Sequence, residues 1–366
     1  MFSLCIIKKN INVNLFIIYK KLHKLYYVKK EMKNKIFSLL IICLLMTLTF
    51  TTISCKKNQN KVEQFPEIVN NLNSYKLNGT LETNFPSGSK ISNVTVYYKK
   101  PDMYKVELVL PNSLEKQIIL KNQDGVHVLI PSLNKQFKVS SNWPLTSSYS
   151  YLLQSLSKDI LSDDTKEILM DEKETKYKLK AKLFDNAENT YQTITLNNET
   201  GLPTEVCIYK LDNTLISHFK INSIEIDVDF NNDLFECNKT MQTIKETMDQ
   251  QIEFDRTMTY PTYCPIGIML KDEVTSGSGD NKRTLLTYSG TSFITILETF
   301  VVPYESLKTE YIDGDVCVIG GIVWIMNNES IKFYDSGIEY IIASSNTDRL
   351  ELVYIGDSLR MNNSEK

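Results

Sequence analysis

The stretch VTVYYKKPDMYKVELVL, Val94–Leu110, decides the fold. Its two arms are rich in β-branched and aromatic residues, and they flank Lys100-Pro101-Asp102. Proline presets the backbone for a turn, and aspartate closes one with its own side chain. The arms therefore read as strands, Ile91–Tyr98 and Met103–Leu110, folded back on each other. Alternation places Tyr104 and Val106 toward a core and Lys105 toward solvent.

The same period continues on both sides. Upstream, Tyr75, Leu77, Gly79 and Leu81 alternate before a Pro-Ser-Gly-Ser turn at 86–89. Downstream, Gln117–Leu120 and Val126–Ile130 pair across Asn122–Gly125. After the Pro131–Asn134 turn comes Gln136–Val139. Further strands are expected at Thr175–Phe184, Thr190–Leu196, Glu205–Tyr209 and Leu215–Ile226, with a turn at Asn197–Pro203. An antiparallel meander of this kind needs cover on one face. Two segments have helical spacing: Val62, Phe65, Ile68, Val69 and Leu72, and then Leu152, Leu153, Leu156, Ile160 and Leu161. The expected fold class is α+β: a curved antiparallel half-barrel sheet, spanning 64–240, with helices over its inner face. Such a face offers a concave side to an apolar ligand.

Residues 241–256 read as a polar helix or linker. A second, small β-rich α+β domain is expected over 257–360. Its strands are Ile266–Leu270, Thr284–Tyr288, Phe293–Phe300, Val316–Ile319, Gly321–Met326, Ile331–Tyr334 and Ile338–Ala343. A terminal helix begins at Ser345–Arg349, where Asp348 suits the acidic partner of a cap on Ser345.

At the other end, MKNKIFSLLIICLLMTLTFTTISC, Met32–Cys55, opens with two lysines, runs apolar from Ile36 to Phe50 and closes on Thr52, Ile53 and the small Ser54 before Cys55. The apolar run is short for a membrane span and suits the core of a secretory signal. A cysteine just after a small residue is the place of lipidation and cleavage in a bacterial lipoprotein, so Cys55 is the expected lipidation residue. Residues 56–63 then form a polar tether. The other reading is an uncleaved anchoring helix, and both place 56–366 outside the cytoplasm. Residues 1–31 are basic and set the apolar run far from the start. They read either as a mis-called start preceding Met32 or as a basic segment lying on a membrane.

Removing the nine lysines and one glutamate of residues 1–55 leaves 32 basic and 43 acidic residues, a net charge of −11. An acidic body argues against nucleic acid as partner. Cys207, Cys237, Cys264 and Cys317 lie beyond Cys55, scattered and without metal-type spacing. They read either as one or two disulfides or as buried thiols. His127 and His218 each fall inside an expected strand, with His127 half-buried. No nucleophile elbow, phosphate loop or zinc-protease motif is present. The acidic pairs at 163–164 and 171–172 read as solvated. No catalytic residue, cofactor or metal ligand is assigned, and a non-enzymatic protein is expected.

One order of motifs carries a resemblance. Gly79-Thr80 follows Tyr75 in the first strand. Then come Pro101-Asp102-Met103-Tyr104-Lys105, Asn122–Gly125, Ile130-Pro131-Ser132, and Thr200-Gly201-Leu202-Pro203. This order, over about 64–238, resembles the LolA/LolB-like lipoprotein-carrier superfamily, and most of all the spore-former lipoproteins of the YdcC and GerS kind. The family-motif positions are thus Gly79, Thr80, Pro101, Asp102, Tyr104, Lys105, Gly201 and Pro203. Lys105 stands where the family has arginine, and a point charge does not replace a bidentate fork. The 257–360 segment is similar to a C-terminal module of the same group. The resemblance implies a palmitate-type membrane anchor and a place on the outer face of the cytoplasmic membrane of a Gram-positive, clostridial-type bacterium or in the forespore envelope. It also implies a role in sporulation or in spore cortex modification and germination. Two partner classes follow from it: a peptidoglycan amidase or other envelope protein, or an acyl chain of a lipid or lipoprotein.

Overall fold

The computed structural model describes residues 64–111, 115–183, 190–247, 254 and 257–360, together with Lys20. Cys55, the leader 32–55, the tether 56–63 and, Lys20 apart, residues 1–31 lie outside the described residues. The chain divides into two units, Met1–Gln59 and Asn60–Lys366. Among the described residues no helix is long and apolar enough to cross a membrane.

The second unit is α+β. Helix α1 (Phe65–Asn71) leads into the meander β1 (Ser74–Phe85), β2 (Gly88–Lys99), β3 (Met103–Val109), β4 (Lys116–Asn122), β5 (Gly125–Ile130) and β6 (Lys135–Ser140). Helix α2 (Leu153–Ser162) is followed by β7 (Glu167–Met170), β8 (Glu174–Lys180), β9 (Thr190–Asn197), β10 (Pro203–Lys210) and β11 (Leu215–Ile226), then by helix α3 (Cys237–Thr247). The remaining strands are β12 (Ile268–Ser276), β13 (Arg283–Gly290), β14 (Phe293–Phe300), β15 (Lys308–Asp313), β16 (Asp315–Ile319), β17 (Ile322–Met326), β18 (Ser330–Asp335) and β19 (Ile338–Ala343). Helix α4 (Arg349–Leu359) closes the fold.

Two open sheets result. The larger runs β15-β6-β5-β4-β3-β2-β1-β11-β10-β9-β8-β7, and the smaller β12-β13-β14-β19-β18-β17-β16. Among the described residues all pairings are antiparallel except β15 with β6. The inner face of the large sheet carries the alternating residues expected of it, among them Tyr75, Leu77, Val96, Tyr104, Val106 and Phe137, all buried. Helices α1 and α2 lie over them through Phe65, Val69, Leu153 and Leu156. Helix α3, by contrast, covers the outer face, where Met241 and Ile244 pack on Ile118, Leu120 and Leu129.

The boundary at 241–256 does not separate the sheets cleanly. Strand β15 comes from beyond it and joins the large sheet beside β6. There Lys135, almost fully buried, reaches Tyr334 Oη at 2.9 Å, Glu310 at 3.3 Å and Glu339 at 3.4 Å, over the rings of Phe137 and Tyr334. The tight β16–β17 turn places Gly320 and Gly321 at positive φ, as a primed hairpin turn requires. A Cβ on Gly321 would sit 2.7 Å from the Cβ of Ser92 in β2, so the turn seats against the large sheet. Helix α4 begins at Arg349, and its cap is Asp348 itself rather than Ser345. The Asp348 carboxylate accepts from the Leu350 amide at 2.8 Å.

Glu298 of β14 is fully buried, and Thr259 bonds its carboxyl at 3.2 and 3.3 Å. Burial pushes its pKa up to about 7. The folded state therefore holds a proton that the unfolded chain has released above about pH 4.3, so this group's contribution falls as pH rises from there through 7. Glu298→Gln is expected to gain up to about 3 kcal/mol over the parent at pH 8 and little at pH 4. Urea midpoints at the two pH values measure it, and equal gains at both would refute the burial argument.

Candidate functional site

The motif positions divide into separate places in the large sheet. Lys100–Asp102 turns β2 into β3, and Asp102 pairs with Lys121 at 2.7 Å. Tyr104 is buried against Tyr98 (5.0 Å between ring centres) and Trp143 (5.5 Å), and burial raises its phenol well above the ordinary value. Gly201 and Pro203 sit in the β9–β10 turn, where Gly201 has φ +72° and the Asn197 side chain accepts from the Glu199 and Thr200 amides. Strands β2, β1 and β11 lie between β3 and β10, so these motifs do not meet in one site.

Gly79 marks a register shift between β1 and β11. A Cβ there would run into the Phe219 ring and sit 2.7 Å from the Lys220 carbonyl oxygen. Thr80 beside it accepts from the Asn222 amide at 3.3 Å. A backbone oxygen cannot give way as a side chain does, so Gly79→Ala is expected to cost about 1–3 kcal/mol. Chemical denaturation checks this, and a loss under 0.5 kcal/mol, roughly the effect of a surface substitution, would remove the steric reading.

Lys105 corrects the sequence reading. It is 6 % exposed and does not face solvent. Its ammonium pairs with Glu107 at 3.0 Å and lies over the Tyr97 ring. The cause is tertiary: the chain after β11 crosses this outer face, with Phe230 edge-on to Tyr97 and Lys99 bonded to the Phe230 carbonyl. Burial works to raise the Glu107 carboxyl, but Lys105 and Lys116 hold it below the usual carboxylate range.

The concave side expected to receive a ligand is occupied. Trp143, Tyr149 and Tyr151, from the chain between β6 and α2, pack into it, and Val316, Val323, Ile325 and Tyr334 of the small sheet join the same core. A cavity of about 50 Å³ remains among Leu81, Phe85, Tyr151, Ile208, Cys317 and Tyr354.

His127 is buried rather than half-buried, because α3 packs over the outer face of β4 and β5. Its Nδ1 meets the Gln136 amide at 3.0 Å, and burial lowers its pKa. Cys207, Cys237, Cys264 and Cys317 are free thiols. His218 faces outward on β11, with Nε2 3.1 Å from the Glu205 carboxylate. It stands opposite Cys207 in the β10–β11 register. Burial raises the Cys207 thiol above its ordinary value. Residues 205, 207 and 218 have no motif spacing, which is why the sequence reading passed over them. What pairs 207 with 218 is the β10–β11 register, which includes a shift between Ile208 and Tyr209 that no local pattern announces.

With this geometry in view, comparison with known proteins places the chain. Residues 32–235 match the model of the family described as sporulation protein YdcC-like. The chain is 28 % identical over 336 residues to sporulation protein YdcC of Bacillus subtilis (strain 168), covering 91 % of this chain and 99 % of that one. Among solved structures, a LolA superfamily protein from Nitrosomonas europaea is 14 % identical, covering 49 % of this chain and 97 % of its own, with a TM-score of 0.30. The complex of the CwlD amidase from Clostridioides difficile with the GerS lipoprotein contains a chain 16 % identical, covering 48 % and 96 %, with a TM-score of 0.25. The family match spans more than half of the chain, and the chain belongs to the YdcC-like sporulation proteins.

Proposed function

We propose that this protein is a membrane-tethered, non-enzymatic lipoprotein that binds or regulates an envelope protein during sporulation, in spore cortex modification or germination. Cys55 is its lipidation residue, and the folded unit works at the outer face of the cytoplasmic membrane or in the forespore envelope. The observation that carries this reading is the filled inner face of the large sheet set against two exposed strand edges. A cavity of about 50 Å³ is far below the roughly 300–1,000 Å³ of ligand pockets. At β7, the outermost strand of the large sheet among the described residues, Ile168 and Leu169 are exposed. At β12, the outermost strand of the small sheet among the described residues, Met269, Leu270 and Val274 are exposed. A sheet edge that presents apolar side chains favours pairing with another chain. The likeness to GerS-type lipoproteins makes a peptidoglycan amidase the first partner to test. The other reading, acceptance of an acyl chain on the concave face, would need that face to open.

The test is purification of the tethered protein from sporulating cells. A wall-modifying enzyme should co-purify with the parent and be lost with Met269→Lys/Val274→Lys or Leu169→Lys, while Cys55→Ser should release the protein from membrane. Bound acyl chains without a wall enzyme would replace this reading by the carrier one.

A further inference from the structure

We propose that Glu205, Cys207 and His218 form a three-ligand site for a zinc-class divalent cation on the outer face of β10 and β11. Their donor atoms, a carboxylate oxygen, Sγ and an imidazole nitrogen, all lie within 4.8 Å of one another. Glu205 and His218 stand 3.1 Å apart, a hydrogen-bond distance only slightly shorter than that of two donors on one small ion. Tetrahedral zinc, with bonds of about 2.0–2.3 Å, needs donors roughly 3.3–3.6 Å apart, so the thiol has at most about 1.5 Å to close.

The strands hold the set in place. Glu205 and Cys207 are two apart on β10 and share its outer face, and the ladder sets His218 opposite Cys207. Thr195 on the adjacent β9 donates to the second Glu205 oxygen at 3.3 Å, a supporting bond that orients a ligating carboxylate. Cys207 forms a nearly buried floor, while Glu205 and His218 are partly exposed at the rim. A cation thus enters from solvent and water takes its fourth position. Thiolate, imidazole and carboxylate together suit zinc or cobalt rather than calcium or magnesium. Binding transfers the Cys207 proton to solvent, and the two anionic ligands then balance the dication. The plainer alternative is a His–Glu ion pair above an inert thiol.

Cobalt(II) titration of the purified, reduced full-length protein separates the two. One equivalent is expected to produce a thiolate-to-cobalt charge-transfer band that zinc abolishes by displacement. Cys207→Ser, which leaves the other six cysteines in place, should remove the band and weaken zinc binding by at least about 100-fold. His218→Gln should weaken it comparably, and Thr195→Val by about 10-fold, the effect of losing a supporting bond. Circular dichroism of each variant checks that the fold persists. The proposal is overturned if the parent shows no such band, if the band survives in Cys207→Ser, or if that variant binds zinc as tightly as the parent.

Discussion

Replacing Arg360 with alanine is expected to destabilise the folded unit by about 3–5 kcal/mol, the usual cost of leaving buried carboxylates without their cation. The guanidinium is almost wholly buried. It meets Asp335 at 3.3 Å, Asp357 at 3.3 Å and the Gly320 carbonyl at 2.9 Å. Asp357 in turn takes Lys90 at 3.4 Å and the Ser87 hydroxyl at 2.8 Å, both from the β1–β2 hairpin of the large sheet. The cluster therefore ties α4 and the small sheet to the large one. Lys90 compensates Asp357 and, at longer range, Asp335 in part, while the Gly320 oxygen loses its guanidinium donor. Urea denaturation measures the loss. A change under 1 kcal/mol would mean that water reaches these carboxylates and that the cluster does not couple the sheets.

Trp324→Ala is expected to cost about 3–5 kcal/mol as well, by a different mechanism. Trp324 is fully buried, lies 4.0 Å from the Phe333 ring centre, and donates through Nε1 to the Ile319 carbonyl at 2.9 Å. Gly356 of α4 packs directly against it, so that a Cβ there would lie 2.8 Å from the indole. Truncation opens a cavity between helix and sheet and removes the indole's hydrogen bond to that carbonyl. The chain has two tryptophans, Trp143 in the large sheet's core and Trp324 in the small sheet's. Each can thus be made the sole fluorescent probe by replacing the other with phenylalanine. Both probes should report one urea midpoint. Separate midpoints would show that the sheets unfold independently, and the ties through Lys135 and Arg360 would lose their assigned weight.

The candidate site was legible only in part. Pro101-Asp102 and Gly201-Pro203 could be read as turns because turn chemistry is local. Gly79 was visible as a motif, but its reason, the ring of Phe219 and the oxygen of Lys220 against its Cα, comes from a strand 140 residues later. Lys105 was misread because alternation assigns a face but not whether that face is covered. Strands β7 and β15 were not expected: EILM lies exposed at one edge, and KTEYID, at the other, has little apolar alternation to announce it.

By itself the sequence determined most of the strands, though not β7 and β15, with their turns and the inward set of each, since backbone sterics and a period of two act within a few residues. It also determined the acidity of the body. Only the tertiary structure decided the order of the twelve strands, the parallel insertion of β15, the filling of the concave face, and the meeting of Glu205, Cys207 and His218. Each of these depends on packing and register between distant segments, which no local pattern encodes.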